Sequence, residues 1–221
     1  MTNLVTEKII SQLALNYYDP VWKKRLPAME ELIFTVLTQH TSDKNADKAF
    51  NSLMSNLKNF ETILETEESK ISSLIRMGGL AKIKSKRILS ILSEIKERTG
   101  ELKIDFLSNM NPEDAREWLI SLNGVGLKTA SCVLAFTFGF PVIPVDTHIH
   151  RVSKRIGLIN KNINPDKAHK ILESIISPAN RYKFHVLLIN HGRNQCHARK
   201  PICKTCSIVE ICEFGSSKTN L

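Results

Sequence analysis

The chain has 221 residues, 42% apolar and 24% charged, which excludes a disordered or collagen-like protein and suffices for one large domain or two small ones. Lys and Arg number 31 against 22 Asp and Glu, a net charge of +9, so a polyanion (nucleic acid first) is expected beside the plainer reading of a basic surface. The longest apolar stretch, 132–145, is broken by a Thr, a Gly and two Pro and is too short to cross a bilayer, and residues 1–8 lack the basic start and apolar core of a secretory signal.

The expected elements are helices throughout. Helices are predicted over 5–17, 28–39, 43–56 and 68–76. Ile88, Ile91, Leu92 and Ile95 follow the i, i+3, i+4, i+7 pattern of a buried helical face. So do Ala115, Trp118, Leu119 and Leu122, then Ala168, Ile171, Leu172 and Ile175. Asn111-Pro112-Glu113-Asp114 and Asn164-Pro165-Asp166 each place a capping Asn before a Pro at the first helical position, with acid in the first turn. Further helices are expected over 127–138, 147–156 and 180–191. No run alternates like a strand, so the fold class is all-α. Gly78-Gly79, Gly124-Val125-Gly126, Gly139, Pro141 and Pro144 mark turns. Residues 215–221, small or polar, read as a frayed tail.

Leu122-Asn123-Gly124-Val125-Gly126-Leu127-Lys128-Thr129-Ala130 joins two helices through a turn with two glycines. Both can take positive φ and leave backbone N–H groups uncovered at the positive end of the next helix, an arrangement suited to a DNA phosphate. A plain helix–helix turn is the simpler alternative. Lys128 lies in the first turn of the second helix, where a cation is electrostatically disfavoured. That suits a nucleophilic amine, with a solvated phosphate contact as the other reading.

Asp146 precedes Thr147-His148-Ile149-His150 and reads as a helix N-cap. A capping carboxylate can also accept a proton from an amine or stabilise positive charge on a sugar. His148 and His150 are two residues apart and point to different helical faces, which argues against a metal pair.

Four of the five cysteines, Cys196, Cys203, Cys206 and Cys212, fall within 17 residues, spaced Cys-x6-Cys-x2-Cys-x5-Cys. Four thiols in one compact loop are a metal signal, and spacing alone leaves a zinc ion and a [4Fe–4S] cluster open. Arg199 and Lys200, in the first inter-cysteine loop, are candidate phosphate contacts or a solvated rim. Cys132, inside an apolar helix, reads as core.

These features together resemble endonuclease III of the helix–hairpin–helix DNA glycosylase superfamily, from about Leu26 to Phe214. The resemblance rests on the hairpin 122–130, the segment Val145-Asp146-Thr147-His148-Ile149-x-Arg151-Val152 and the cysteine run. Lys128 and Asp146 are 18 residues apart, the separation of this family's catalytic Lys and Asp. The resemblance implies a bilobed all-α fold. One lobe is a six-helix barrel with the hairpin over 22–133; the other is a discontinuous cluster domain of 1–21 and 134–214, with the active-site cleft between them. It implies a [4Fe–4S] cluster on the four cysteines rather than zinc. It also implies DNA contacts by Gly124, Gly126, Thr129 and His148, and an intercalating Leu80, an apolar wedge of the kind that unstacks and kinks DNA. The family often places a Gln in the gap left by a flipped base. Alignment on Asp43 puts His40 there, with Gln39 one place earlier. Asn123 and Leu127 depart from the usual Pro and basic residue.

The function implied is a bifunctional glycosylase and abasic-site lyase of base excision repair. It excises damaged, oxidised pyrimidines from double-stranded DNA and cuts the abasic strand by β-elimination through a Lys128 Schiff base. Flipping a badly paired lesion costs less than flipping a sound base, which contributes selectivity. A monomer in the cytoplasm, on the nucleoid, is expected. Adenine- and thymine-mismatch relatives often lack the Lys. The alternatives are a monofunctional mismatch glycosylase, a non-catalytic DNA-damage-binding module and an electron-transfer iron–sulfur protein.

Overall fold

The computed structural model describes residues 3–219. Among the described residues there are helices and turns and no strand, so the chain is all-α, and no helix is long and apolar enough to cross a membrane. It divides into two compact units, Lys24–Phe138 and a discontinuous one of 3–23 with 139–219. The expected break at 133/134 is corrected: α8 runs unbroken to Phe138, so Val133 lies inside one helix.

The Lys24–Phe138 unit holds seven α-helices: α2 (Ala28–Thr38), α3 (Asp43–Leu57), α4 (Phe60–Glu65), α5 (Glu68–Leu74), α6 (Ala81–Thr99), α7 (Pro112–Ile120) and α8 (Leu127–Phe138). Nearly all of α2 is buried, which its apolar run Leu32-Ile33-Phe34-Thr35-Val36-Leu37 requires, and it packs on α8, α3 and α6. Its one interior charge, Glu31, is fully buried. Arg25 Nε donates to it at 2.8 Å, a second guanidinium nitrogen bonds its other oxygen, and Thr35 Oγ1 donates at 3.0 Å. Asn111 caps α7 as expected, accepting from Asp114 N–H at 3.0 Å ahead of Pro112. The short α4, capped by Asn59, was not expected. With six residues and one buried side chain, Ile63, it shows no period to read.

The other unit holds α1 (Asn3–Asn16), α9 (Thr147–Ile156), α10 (Pro165–Ile175), α11 (Arg181–Asn194) and α12 (Glu213–Thr219). Its core joins Ile9 and Leu13 of α1, Ile149, Val152 and Ile156 of α9, Leu172 of α10, and Phe184, Leu187 and Leu188 of α11. Asn164 caps α10, accepting from Lys167 N–H at 2.8 Å. The frayed tail expected over 215–221 is corrected as far as Thr219. Gly215 is buried with its N–H on Cys212 Sγ at 3.3 Å, and Ser216 Oγ donates to Val209 O at 2.9 Å, so the segment folds back as α12. Residues 220–221 lie outside the described residues.

Candidate functional site

In the hairpin turn, Val125 N–H donates to Leu122 O at 3.1 Å and the Val125 side chain is buried, which pins the turn from inside. Gly124 has φ +88°, and a Cβ there would lie 2.6 Å from Arg87 Nε, so the position requires glycine. Gly126 does not share the left-handed conformation expected of both glycines. Its carbonyl accepts Ala130 N–H at 3.0 Å and opens α8. The N–H groups of Leu127, Lys128 and Thr129 are therefore those the helix cannot satisfy itself, an anion-binding end. Lys128 is half-buried and lies one turn ahead of Cys132 on α8. Burial pushes the Cys132 thiol up, and the Lys128 charge pulls against that.

Gln39 and His40 leave the end of α2. The Gln39 amide donates to Thr129 Oγ1 at 3.2 Å, and Arg87 bonds the amide oxygen. The Gln39 and Thr129 side chains, both candidate DNA contacts, are thus tied to each other and to Arg87, which also fills the space beside Gly124. His40 is exposed, with φ 52°. Leu80 is 51% exposed, with φ 50°, immediately ahead of α6. Exposed apolar Met77 and Ile83 flank it in sequence.

In the other unit, Asp146 is the N-cap of α9, its Oδ1 accepting from Ile149 N–H at 2.8 Å. The loop before it is held at every step. Arg181 bonds Pro141 O, and Ile143 N–H donates to Glu173 Oε1 at 2.9 Å. His185 Nδ1 lies 2.9 Å from Pro144 O, and Val145 N–H donates to His169 Nε2 at 3.1 Å. Because Nε2 of His169 accepts, its proton sits on Nδ1, which donates to Pro165 O at 3.0 Å. The carboxylate therefore stands on a backbone fixed one residue upstream by a neutral imidazole.

From α9 the fixation continues into the cysteine loop. Arg151 donates to Gly192 O at 2.8 Å and to Cys196 O at 3.0 Å, and a third bond goes to His148 Nδ1 at 3.1 Å. His148 is thus an acceptor turned to Arg151. Arg155 donates to Cys196 Sγ at 3.3 Å, His197 O at 2.7 Å and Ala198 O at 2.8 Å, and stacks on Phe214. Arg199 and Lys200 are exposed. Arg155, Arg199, Lys204 and Lys218 line a basic concavity of about 400 Å³ with Phe214 and Cys203.

The four thiols are free and sense one another. Burial first, then the charges of Cys212, Cys196 and Cys203, push the Cys206 thiol up to about 11, and Cys212 moves the same way. Donors already point at the sulfurs: Gly215 N–H at Cys212 and Arg155 at Cys196. Among the described residues no three His, Cys, Asp or Glu side chains converge closely enough for a single metal ion. Four thiols within 17 residues, two of them already met by donors, fit a thiolate-held cluster, whose properties depend on such bonds to sulfur.

Sequence reasoning missed Lys84, Arg87, Arg151, Arg155 and His169 as supports of these groups. Lys84 alone left a readable signal, since it extends the Ile88, Ile91, Leu92, Ile95 stripe back by four residues.

Residues 33–178 match the family model described as "HhH-GPD superfamily base excision DNA repair protein". The chain is 38% identical to an endonuclease III of Rickettsia felis, over 84% of this chain and 83% of that protein. It is 31% identical to a putative DNA glycosylase of Arabidopsis thaliana over 80% of this chain, and there the match spans only 60% of the relative's length. A solved structure of a trapped endonuclease III–DNA covalent intermediate, an estranged-adenine complex, superposes with a TM-score of 0.84 at 26% identity, covering 99% of both chains.

Proposed function

Since the chain belongs to the endonuclease III family of base-excision DNA repair proteins, and is by that membership a DNA glycosylase and abasic-site lyase, we propose that it acts on oxidised pyrimidines, with Lys128 as nucleophile and Asp146 as its assisting carboxylate. The single observation that carries the reading is Lys128 on the N-terminal turn of α8, directly behind a glycine turn with bare N–H groups. Those N–H groups take a backbone phosphate of the lesion strand. The neutral amine of Lys128 attacks the sugar C1′ and the bond from C1′ to the base breaks. Asp146 takes the amine proton or balances positive charge on the sugar. The C1′–O4′ bond then opens, O4′ taking up a proton, and the iminium so formed acidifies the C2′ proton, whose loss expels the 3′ phosphate. Leu80 and His40 are proposed to fill the stack vacated by the lesion, and Arg199 and Lys200 to meet phosphates.

Cys196, Cys203, Cys206 and Cys212 would hold a [4Fe–4S] cluster that orders the basic loop. One zinc ion would need its thiolates drawn in to about 2.3 Å from one centre. A cluster spaces them with its own sulfides.

The test is borohydride trapping on duplexes carrying an abasic site, thymine glycol, uracil or a mismatch, with wild type beside Lys128→Ala. An adduct on abasic and thymine glycol DNA that vanishes in the variant, while DNA affinity stays within about fivefold, is the expected result. Equal loss of adduct and affinity would make Lys128 a phosphate contact. No adduct on any duplex would leave a monofunctional glycosylase or a binding module.

A further inference from the structure

Lys84 lies in the core of the Lys24–Phe138 unit, 1% exposed, on the face of α6 that also buries Ile88, Ile91, Leu92 and Ile95. A buried ammonium ordinarily pairs with an acid. Among the described residues Lys84 pairs with no carboxylate. Its Nζ donates instead to two backbone carbonyls, Leu37 O in the last turn of α2 and Gly78 O in the turn ahead of α6, each at 2.7 Å. The turn at Gly78 packs closely on α3, where a Cβ at 78 would stand 3.1 Å from Ala49 Cβ. Burial, with Arg87 nearby, lowers the Lys84 pKa to about 8, so the charge is retained at neutral pH.

Three non-glycine residues among those described have positive φ: His40, Lys58 and Leu80. Two of them sit just past the two carbonyls that Lys84 holds. His40 follows Leu37 by three residues, and Leu80 follows Gly78 by two. Both are exposed; His40 lies just past the C-cap of α2 and Leu80 is the N-cap of α6. Left-handed φ in a His or a Leu persists only where the surrounding structure dictates it. The bond to Leu37 O fixes the chain entering the first turn, and the bond to Gly78 O fixes the chain entering the second.

We propose that Lys84 is a positioning residue for strand invasion: one buried ammonium ties the turn that presents His40 to the turn that presents Leu80, so that both enter the DNA stack in fixed register. This rests on the reading above that these two side chains fill the vacated stack. The geometry adds the device that holds them. It touches no DNA and is separate from the Lys128 chemistry.

The test uses a duplex with a tetrahydrofuran abasic analogue opposite 2-aminopurine, whose fluorescence rises on unstacking. Wild type and Lys84→Met are compared at saturating protein, with affinity, salt dependence and melting temperature measured on the same preparations. Lys84→Met is expected to bind within about threefold of wild type with the same salt slope, but to lose at least half of the fluorescence rise. An unchanged rise overturns the proposal. So does a loss of signal matched by equal losses of affinity and thermal stability, which would make Lys84 a plain fold support. If Lys84→Met does not fold, Lys84→Gln replaces it. Its side chain is one bond shorter and cannot reach both carbonyls, so a smaller loss in the same direction is expected, and no loss is equally fatal. Borohydride trapping of wild type separates the two levels. A trapped adduct without any fluorescence rise sinks this inference and leaves the proposed function standing; no adduct on any abasic duplex sinks that function.

Discussion

The α2–α6–α8 side of the Lys24–Phe138 unit and the α9–cysteine-loop side of the other unit both hold irregular backbone in place with cations, but in different numbers. In the first, one buried ammonium, Lys84, serves two carbonyls beside two strained turns. In the second, two guanidinium groups one helical turn apart, Arg151 and Arg155, spread seven bonds over Gly192, Cys196, His197, Ala198 and His148. A single support makes two turns move together or not at all. A redundant one keeps a loop shaped when any one bond opens. The first arrangement suits the two side chains proposed to enter a stack in register, and the second suits a loop that carries four thiols.

The largest effect that would sharpen this contrast is at Asp146, which opens the redundantly held helix. Asn caps a helix about as well as Asp. Asp146→Asn should therefore leave unfolding free energy within about 0.5 kcal/mol of wild type, because the bond to Ile149 N–H and the arginine anchors survive. Single-turnover base excision should still fall by roughly 10²–10³-fold, since the charge and proton acceptor are gone. Denaturant titration beside single-turnover kinetics measures both. A stability loss as large as the rate loss would reduce Asp146 to its capping role.

Much of this was legible in the chain. Asn111 and Asn164 announce their helices because capping and Pro at the first position are local effects, decided within four residues. Lys128, Asp146 and the cysteine spacing are equally local patterns. The supports are not. Gln39 meets Thr129 across 90 residues and Val145 meets His169 across 24, and no periodicity records such bonds. Lys84 is the instructive case. Its position on the apolar stripe marks it as buried, but what it bonds are backbone carbonyls, which carry no sequence signal. The tail misled for the opposite reason: its small polar residues fold because Cys212 and Val209 accept their bonds.

A second effect concerns the cost of the single support. Burial lowers Lys84 to about 8 in the folded protein, against about 10.5 for an unfolded Lys. Between those values the unfolded chain binds the proton and the folded chain does not, so stability attributable to Lys84 rises with pH across that window. The full span corresponds to roughly 3–3.5 kcal/mol as an upper bound. The difference in unfolding free energy between wild type and Lys84→Gln should therefore shift in favour of wild type from pH 7.5 to pH 10. A flat difference would mean that the two carbonyls compensate the buried charge completely.

The smallest effect tests redundancy itself. Arg151→Ala and Arg155→Ala each remove part of a shared set of bonds around Cys196, and each should cost only about 1 kcal/mol, the scale of a net hydrogen bond, because the other guanidinium still holds the loop. The double variant removes both supports at once. Its cost should exceed the sum of the singles by at least about 0.5 kcal/mol, the signature of groups that back each other up. Simple additivity, measured by thermal unfolding of the purified protein, would show that the two arginines hold separate parts of the loop. The contrast would then be between one clamp for two turns and two clamps for two segments, with no redundancy on either side.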